Sequence, residues 1–111
     1  MSAIPEVTDK SFTEEVIQSN KTTLVDFWAP WCMPCRMMTP ILEQLSKEAG
    51  DTVKIVKVNT DENQMTAAKY GIMSIPSLVF FKGGSEVGRT VGVQPVESLK
   101  AALDKIGQKG V

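Results

Sequence analysis

Histidine is absent from this chain of 111 residues, and cysteine occurs only twice. A tetrahedral structural zinc site takes four ligands from cysteine and histidine, so the chain cannot complete such a site from these residues. A secreted domain held together by disulfides would use more cysteines at wider spacing. A bond between Cys32 and Cys35 would close a loop worth about 2 kcal/mol at most on the chain-entropy model. Redox chemistry is therefore the leading use of the pair.

The chain also lacks an excess of charge of one sign, a cluster of basic residues and a long apolar run. Its 12 basic and 13 acidic side chains give a formal net charge of −1, so we expect neither nucleic acid nor a membrane surface as partner. No apolar run approaches the roughly 20 residues that cross a bilayer. Residues 1–6 show no secretory signal, which predicts a cytoplasmic protein or an organellar one trimmed of a transit peptide. The length predicts a single domain, 1–111, and we expect a monomer.

Strand and helix patterns alternate along the chain, which predicts an α/β domain. The predicted strands are a short edge strand up to Val7 and residues 23–29, 53–58, 77–81 and 86–91. The predicted helices begin at a capping box at Ser11–Glu14, at Pro34, at an Asn63 cap and at Pro95. Together these elements predict a central mixed five-stranded sheet with four helices on its two faces.

Two cysteines stand where the strand 23–29 gives way to a helix. The first amides and the dipole of that helix favour negative charge, which lowers a thiol pKa and makes a thiolate available at neutral pH. Cys32 lies just ahead of the helix and is the candidate nucleophile. Cys35, one turn further and more enclosed, would attack the Cys32 sulfur and release a mixed disulfide. The alternative is a pair of buried structural cysteines.

An acidic residue interrupts the apolar strand that leads to the cysteines. Asp26 lies between Val25 and Phe27, so burial of its carboxyl is expected, and burial raises a carboxyl pKa. Lys57 is in phase with apolar residues of the next strand, which favours a partly buried ammonium near Asp26. The alternatives are a carboxylate that only accepts backbone hydrogen bonds and a lysine solvated at the end of its strand.

The chain resembles the thioredoxin family along essentially its whole length. The matching segments are Val25–Cys32, Pro34–Arg36, Pro40, Val58–Asn63, Tyr70–Ile72, Ser74–Pro76, Phe81–Gly84 and Val91–Gly92. Two departures concern the region around the cysteines. Met33 stands where the family motif Trp-Cys-Gly-Pro-Cys has glycine, and Met73 stands where the family usually has arginine. Both make that region more apolar and adaptable, and Met33 bears on the redox potential.

The resemblance implies roles for further residues. Asp26 would exchange a proton with the inner cysteine through water, with Lys57 beside it. Ile75 and Pro76 would form a cis-proline loop facing the cysteines, whose backbone pairs with an extended substrate; an ordinary turn proline is the alternative. The full set of expected substrate-binding residues is Trp31, Met33, Pro34, Met73, Ser74, Ile75, Pro76, Gly92 and Val93.

The resemblance therefore implies a protein-disulfide reductase that uses a Cys32/Cys35 dithiol and needs no bound cofactor or metal. The expected partners are disulfide-containing proteins and a thioredoxin reductase that delivers electrons from NADPH, or from ferredoxin in a photosynthetic host. One alternative is the same fold acting as a disulfide oxidant or isomerase. Others are a non-catalytic binding subunit and a metal or iron–sulfur cluster held by cysteines of two subunits.

Overall fold

The computed structural model describes residues 4–109 as alternating strands and helices. Its strands are β1 (Thr22–Trp28), β2 (Val53–Asn59), β3 (Ser77–Lys82) and β4 (Ser85–Val91). Its α-helices are α1 (Met33–Ala49), α2 (Gln64–Lys69) and α3 (Val96–Lys109). A π-helical turn (Thr13–Ile17) precedes β1, and a 3-10 turn (Gly50–Thr52) precedes β2. The predicted α/β architecture is confirmed, and the π-helical turn takes the place of the first predicted helix.

The described part of the chain forms a mixed sheet of four strands, in the order β2-β1-β3-β4. The strand β1 runs parallel to β2 and antiparallel to β3, which pairs antiparallel with β4. The predicted fifth strand is wrong: within the described residues 4–7 the chain makes a single parallel bridge, Glu6 with Lys57. Lys57 donates to the Pro5 carbonyl and accepts from the Val7 amide. Pro5 has no N–H of its own, so the ladder cannot extend through it.

Two apolar clusters cover the two faces of the sheet. On one face, side chains of α1 and α3 pack against the sheet, including Met38, Leu42 and Leu99. On the other face, Phe12 and Val16 of the first turn region pack with valines and phenylalanines of the strands. The strand β1 is buried on both faces, as its continuous apolar pattern predicts. The strand β1, which leads to the two cysteines, therefore lies in the interior of the domain.

The predicted capping box at Ser11 does not form. The Ser11 hydroxyl accepts the N–H of Thr8 in a preceding turn, and Phe12 occupies the cap position without a side-chain hydrogen bond. The turn between β3 and β4 has Gly83 and Gly84 at its centre, both at positive φ. A two-residue hairpin of this type needs positive φ at both positions, which glycine adopts without strain.

The start of α2 is capped by a residue that the sequence does not single out. Asn63 precedes the helix, but its side chain makes no cap hydrogen bond. Its side-chain NH2 group donates to the Asn59 carbonyl, and its side-chain oxygen accepts the Asp9 N–H. The Asp9 carboxylate accepts from the amides of Met65 and Thr66 and from the Thr66 hydroxyl. Asp9, which is distant in the sequence, thus caps the helix in the way predicted for Asn63.

We expect Asp9→Ala to lower the melting temperature at neutral pH by several degrees, because two amides and a hydroxyl lose their acceptor. The hydrogen bonds from Thr66 and Met65 lower the pKa of Asp9. A lowered pKa means that this stabilisation is present at neutral pH and is lost as pH falls through the native pKa. Melting curves at pH 7 and at pH 3 check it, with the exposed Asp51→Ala as matched control. Equal melting temperatures for the two variants at pH 7 would contradict the cap.

Candidate functional site

The two cysteines form a disulfide at the start of α1, with their Cα atoms 5.3 Å apart. Cys32 is the N-cap residue in an extended conformation, and its sulfur accepts the Cys35 N–H at 3.2 Å. Pro34 lies in the first turn, where its missing N–H costs no helical hydrogen bond. The amide and the helix dipole that meet the Cys32 sulfur here would equally stabilise a thiolate in the reduced protein.

Both cysteines are buried below an exposed rim. Only 4% of Cys32 and 2% of Cys35 is exposed, so the expected contrast in enclosure between the two residues is small. Three side chains beside them in the sequence or the fold are open to solvent, namely Trp31, Met33 and Met73. The disulfide itself therefore presents little surface to solvent, whereas these three apolar side chains present most of theirs.

The loop before β3 lies against the disulfide. The Ile75–Pro76 peptide bond is cis, the form that the resemblance implies. The Ile75 carbonyl oxygen is 3.7 Å from the Cys32 sulfur, and the Ser77 hydroxyl donates to the Ser74 carbonyl within the same loop. The structure thus places the predicted segment 74–76 directly beside the nucleophile candidate.

The end of β4 completes this side of the site. Gly92 donates its N–H to the Pro76 carbonyl at 2.8 Å, and its φ of 89° is open to glycine and strained for other residues. A Cβ at Gly92 would meet nothing within 4 Å, so backbone conformation rather than space selects glycine here. Val93, which follows, is partly exposed.

Asp26 is fully buried in β1, opposite Lys57 of β2. Neither carboxyl oxygen has a hydrogen-bond partner among residues 4–109. Burial raises the pKa of Asp26 from 3.8 to about 7, Lys57 opposes this rise and Glu6 adds to it. The alternative of a carboxylate held by backbone hydrogen bonds is therefore wrong. A carboxyl with this pKa can both accept and donate a proton near neutral pH.

Lys57 is 7% exposed, and its ammonium lies 4.2 Å from the centroid of the Trp28 ring. Contact with the face of an indole stabilises a cation that has lost part of its hydration. The lysine is thus neither solvated nor at a strand end: its predicted burial is confirmed, and it lies opposite Asp26 on the neighbouring strand. Trp28 lies beneath the site and holds that cation.

Two residues that sequence reasoning did not assign also contribute to this region. The Trp31 indole N–H donates to the Asp61 carboxylate at 3.0 and 3.3 Å, which fixes the ring although 69% of the residue is exposed. Glu6 acts on Asp26 through its charge. Asp61 lies in the matched segment 58–63, but neither acid has a spacing that points to the cysteines; only the fold brings them there.

In the part of the chain that the structure covers, no three histidine, cysteine, aspartate or glutamate side chains are grouped to hold a metal ion. None of the described helices is both long and apolar enough to cross a membrane.

Comparison with known proteins gives one consistent result. The thioredoxin family model matches residues 3–105. The thioredoxin of Synechocystis sp. is 52% identical over 105 residues, covering 95% of this chain and 98% of that protein. The thioredoxin of Bacillus subtilis is 52% identical over 103 residues, covering 93% and 97%. That of Rickettsia bellii is 53% identical over 93 residues, covering 84% and 89%.

Proposed function

Because this chain belongs to the thioredoxin family of thiol–disulfide oxidoreductases, we propose that it reduces disulfide bonds in protein substrates through Cys32 and Cys35. The observation that carries the proposal is the hydrogen bond from the Cys35 amide to the Cys32 sulfur at the N-terminus of α1. This geometry stabilises a thiolate at Cys32 and leaves a second sulfur one helical turn away.

In the first step, the Cys32 thiolate attacks one sulfur of a substrate disulfide. A bond forms between the two sulfurs, the substrate S–S bond breaks, and the departing substrate thiolate takes up a proton. The products are a mixed disulfide and one substrate thiol. The helix N-terminus favours this step because it holds Cys32 in the ionised, nucleophilic form.

In the second step, Cys35 loses its proton and attacks the Cys32 sulfur of the mixed disulfide. The intermolecular bond breaks, the second substrate thiol leaves, and the Cys32–Cys35 disulfide of the present structure forms. The substrate has gained two electrons and the protein has lost two. We assign Asp26 as the acceptor of the Cys35 proton, with water as the carrier, because its pKa of about 7 suits proton transfer at neutral pH.

Substrate would bind over the rim around Cys32. We propose that an extended substrate segment pairs with the backbone at Ser74–Ile75 and passes Gly92, where no side chain blocks its approach. Trp31, Met33, Met73 and Val93 would contact its side chains, because all four are open to solvent. Their apolar character favours substrates whose disulfide is flanked by apolar residues.

The oxidised protein then needs a reductant. We propose a thioredoxin reductase as partner, with electrons from NADPH or, in a photosynthetic host, from ferredoxin. We also propose that the protein acts in the cytoplasm, in line with the bacterial relatives, and that it acts as a monomer.

The redox midpoint of the Cys32–Cys35 pair tests reductase against oxidant or isomerase. We expect a midpoint of about −270 mV, the potential typical of thioredoxins, whereas oxidants of the same fold have potentials of about −120 mV. The protein is equilibrated with defined thiol–disulfide buffers and followed by the fluorescence of Trp28 and Trp31. A midpoint at or above the range of disulfide isomerases, about −180 mV, would instead favour the oxidant or isomerase function. If no two-electron transition is observed, the remaining function is that of a non-catalytic binding subunit.

A further inference from the structure

Three charged side chains form one row across the edge of the sheet. Lys57 of β2 lies opposite Asp26 of β1 on one side and opposite Glu6 on the other. Residues directly opposite one another on adjacent strands project their side chains to the same face. The order across the sheet is therefore Glu6, Lys57, Asp26, with the cation between two acids.

The row continues on β3 with an apolar residue. Leu78 lies opposite Asp26 on the side away from Lys57 and is fully buried. The charges that act on the Asp26 carboxyl are thus Lys57, which favours its ionised form, and Glu6, which opposes it. Glu62 acts on Glu6, and in the reduced protein Cys32 and Cys35, at the start of α1, also carry titratable thiols.

The Glu6 carboxyl interacts with Lys57 and Trp28. The residue is exposed overall, yet partial burial of its carboxyl raises the pKa while Lys57 lowers it. The Trp28 indole N–H also favours the ionised form, without a hydrogen bond of full geometry to the carboxylate. Lys57 and Trp28 are in contact through the cation and the ring. Glu6, on the side of Lys57 away from Asp26, is therefore one of the charged residues that act on Asp26.

We propose that Glu6 is a positioning residue for the second step of disulfide reduction: it lies opposite Lys57 on the side away from Asp26, and its negative charge helps Asp26 to hold the proton that Cys35 releases. This inference rests on the proposed function. It assigns a role to the N-terminal segment, whose only pairing with the described sheet is the single bridge at Lys57. The bridge fixes Glu6 in register, because the Lys57 N–H donates to the Pro5 carbonyl and the Lys57 carbonyl accepts the Val7 N–H.

The test is the titration of Asp26 in the oxidised protein, read from the chemical shift of its carboxyl carbon. We expect Glu6→Gln to move the midpoint down by about half a pH unit, since one negative charge is removed two strand spacings away, about 10 Å. Glu62→Gln is the matched control, because Glu62 acts on Glu6 but is not among the charges that act on Asp26. Glu6→Asp keeps the charge and is expected to keep the midpoint near that of the parent protein.

Kinetics provide the second reading. The rise of the reduction rate with pH, measured with insulin as substrate, is expected to move to lower pH in Glu6→Gln and to stay in place in Glu62→Gln. An unchanged Asp26 midpoint in Glu6→Gln, or an equal change in both glutamine variants, overturns the inference. The carboxyl titration needs no turnover, so that result is separate from a failure of Cys32 to reduce disulfides, which would overturn the proposed function.

Discussion

Cys32→Ser is expected to lower the rate of insulin reduction by roughly 10³-fold or more, to the rate of the chemical reductant alone. A serine hydroxyl is not ionised near neutral pH and cannot form a disulfide, so no mixed disulfide can arise. The fold is expected to be retained, because serine at the N-cap position still offers an oxygen to the Cys35 amide. The measurement is the precipitation of reduced insulin in dithiothreitol, with and without catalytic amounts of protein.

Cys35→Ser is the matched variant and separates the two steps. It keeps the nucleophile at Cys32 but lacks the sulfur that releases the substrate, so it is expected to accumulate as a covalent adduct with one insulin chain. The adduct is detected by mass spectrometry and disappears on treatment with excess thiol. An adduct of Cys32→Ser rather than of Cys35→Ser would mean that the two roles are reversed. Full activity of both variants would rule out the dithiol mechanism.

The second large effect concerns Asp26, whose buried carboxyl destabilises the native state at neutral and higher pH. Its pKa is 3.8 in an ordinary setting and about 7 in the folded protein. Between these values the native state binds more protons than the unfolded state, so the free energy of unfolding falls as pH rises. At about 1.4 kcal/mol per pH unit, this interval corresponds to about 4 kcal/mol, lost by the time pH passes 7.

Asp26→Asn removes this titration, because the amide is neutral at every pH. Relative to the parent protein, we expect its free energy of unfolding to increase by up to about 4 kcal/mol between pH 4 and pH 8, with little further change above. Guanidinium unfolding of the oxidised proteins at a series of pH values gives the difference. Asp51→Asn, which changes an exposed acid, serves as control. A difference that does not vary with pH would show that Asp26 is already ionised below pH 4.

The same variant links stability to function. Loss of a positioned general base typically lowers a rate by roughly 10²-fold or more, so Asp26→Asn is expected to slow release of the mixed disulfide. The attack by Cys32 is expected to be little affected, because it depends on the start of α1. A buried acid that costs stability and speeds one step is typical of functional sites.

Local chemistry made much of the site predictable. A continuous apolar strand followed by Cys32, Pro34 and Cys35 is enough to place a nucleophile at a helix N-terminus, because the strand and helix patterns are local and the dipole follows from the helix. An acid within such a strand must be buried, and burial alone gives the direction of its pKa. The turn at Gly83–Gly84 was also predictable, since its backbone conformation nearly requires glycine.

Contacts between distant segments decided the rest. The sequence pattern before Val7 favours a strand, but Pro5 and the position of Lys57 limit it to one bridge. Asn63 has the right place for a cap, yet Asp9, 54 residues earlier and bonded to Asn63 itself, provides the acceptors. No local rule distinguishes these outcomes, because capping and pairing depend on which groups the completed fold brings within hydrogen-bond distance.

The sequence by itself determined the α/β class, the buried strand, the helix that follows it and the redox pair at their junction. It did so because hydrophobic period, capping and turn chemistry act over a few residues. The tertiary structure alone decided that Asp61 holds Trp31, that Asp9 caps α2, and that Glu6 and Asp26 lie on opposite sides of Lys57. Strand register and the packing of loops set these distances, and electrostatic interactions depend on distance rather than on separation along the chain.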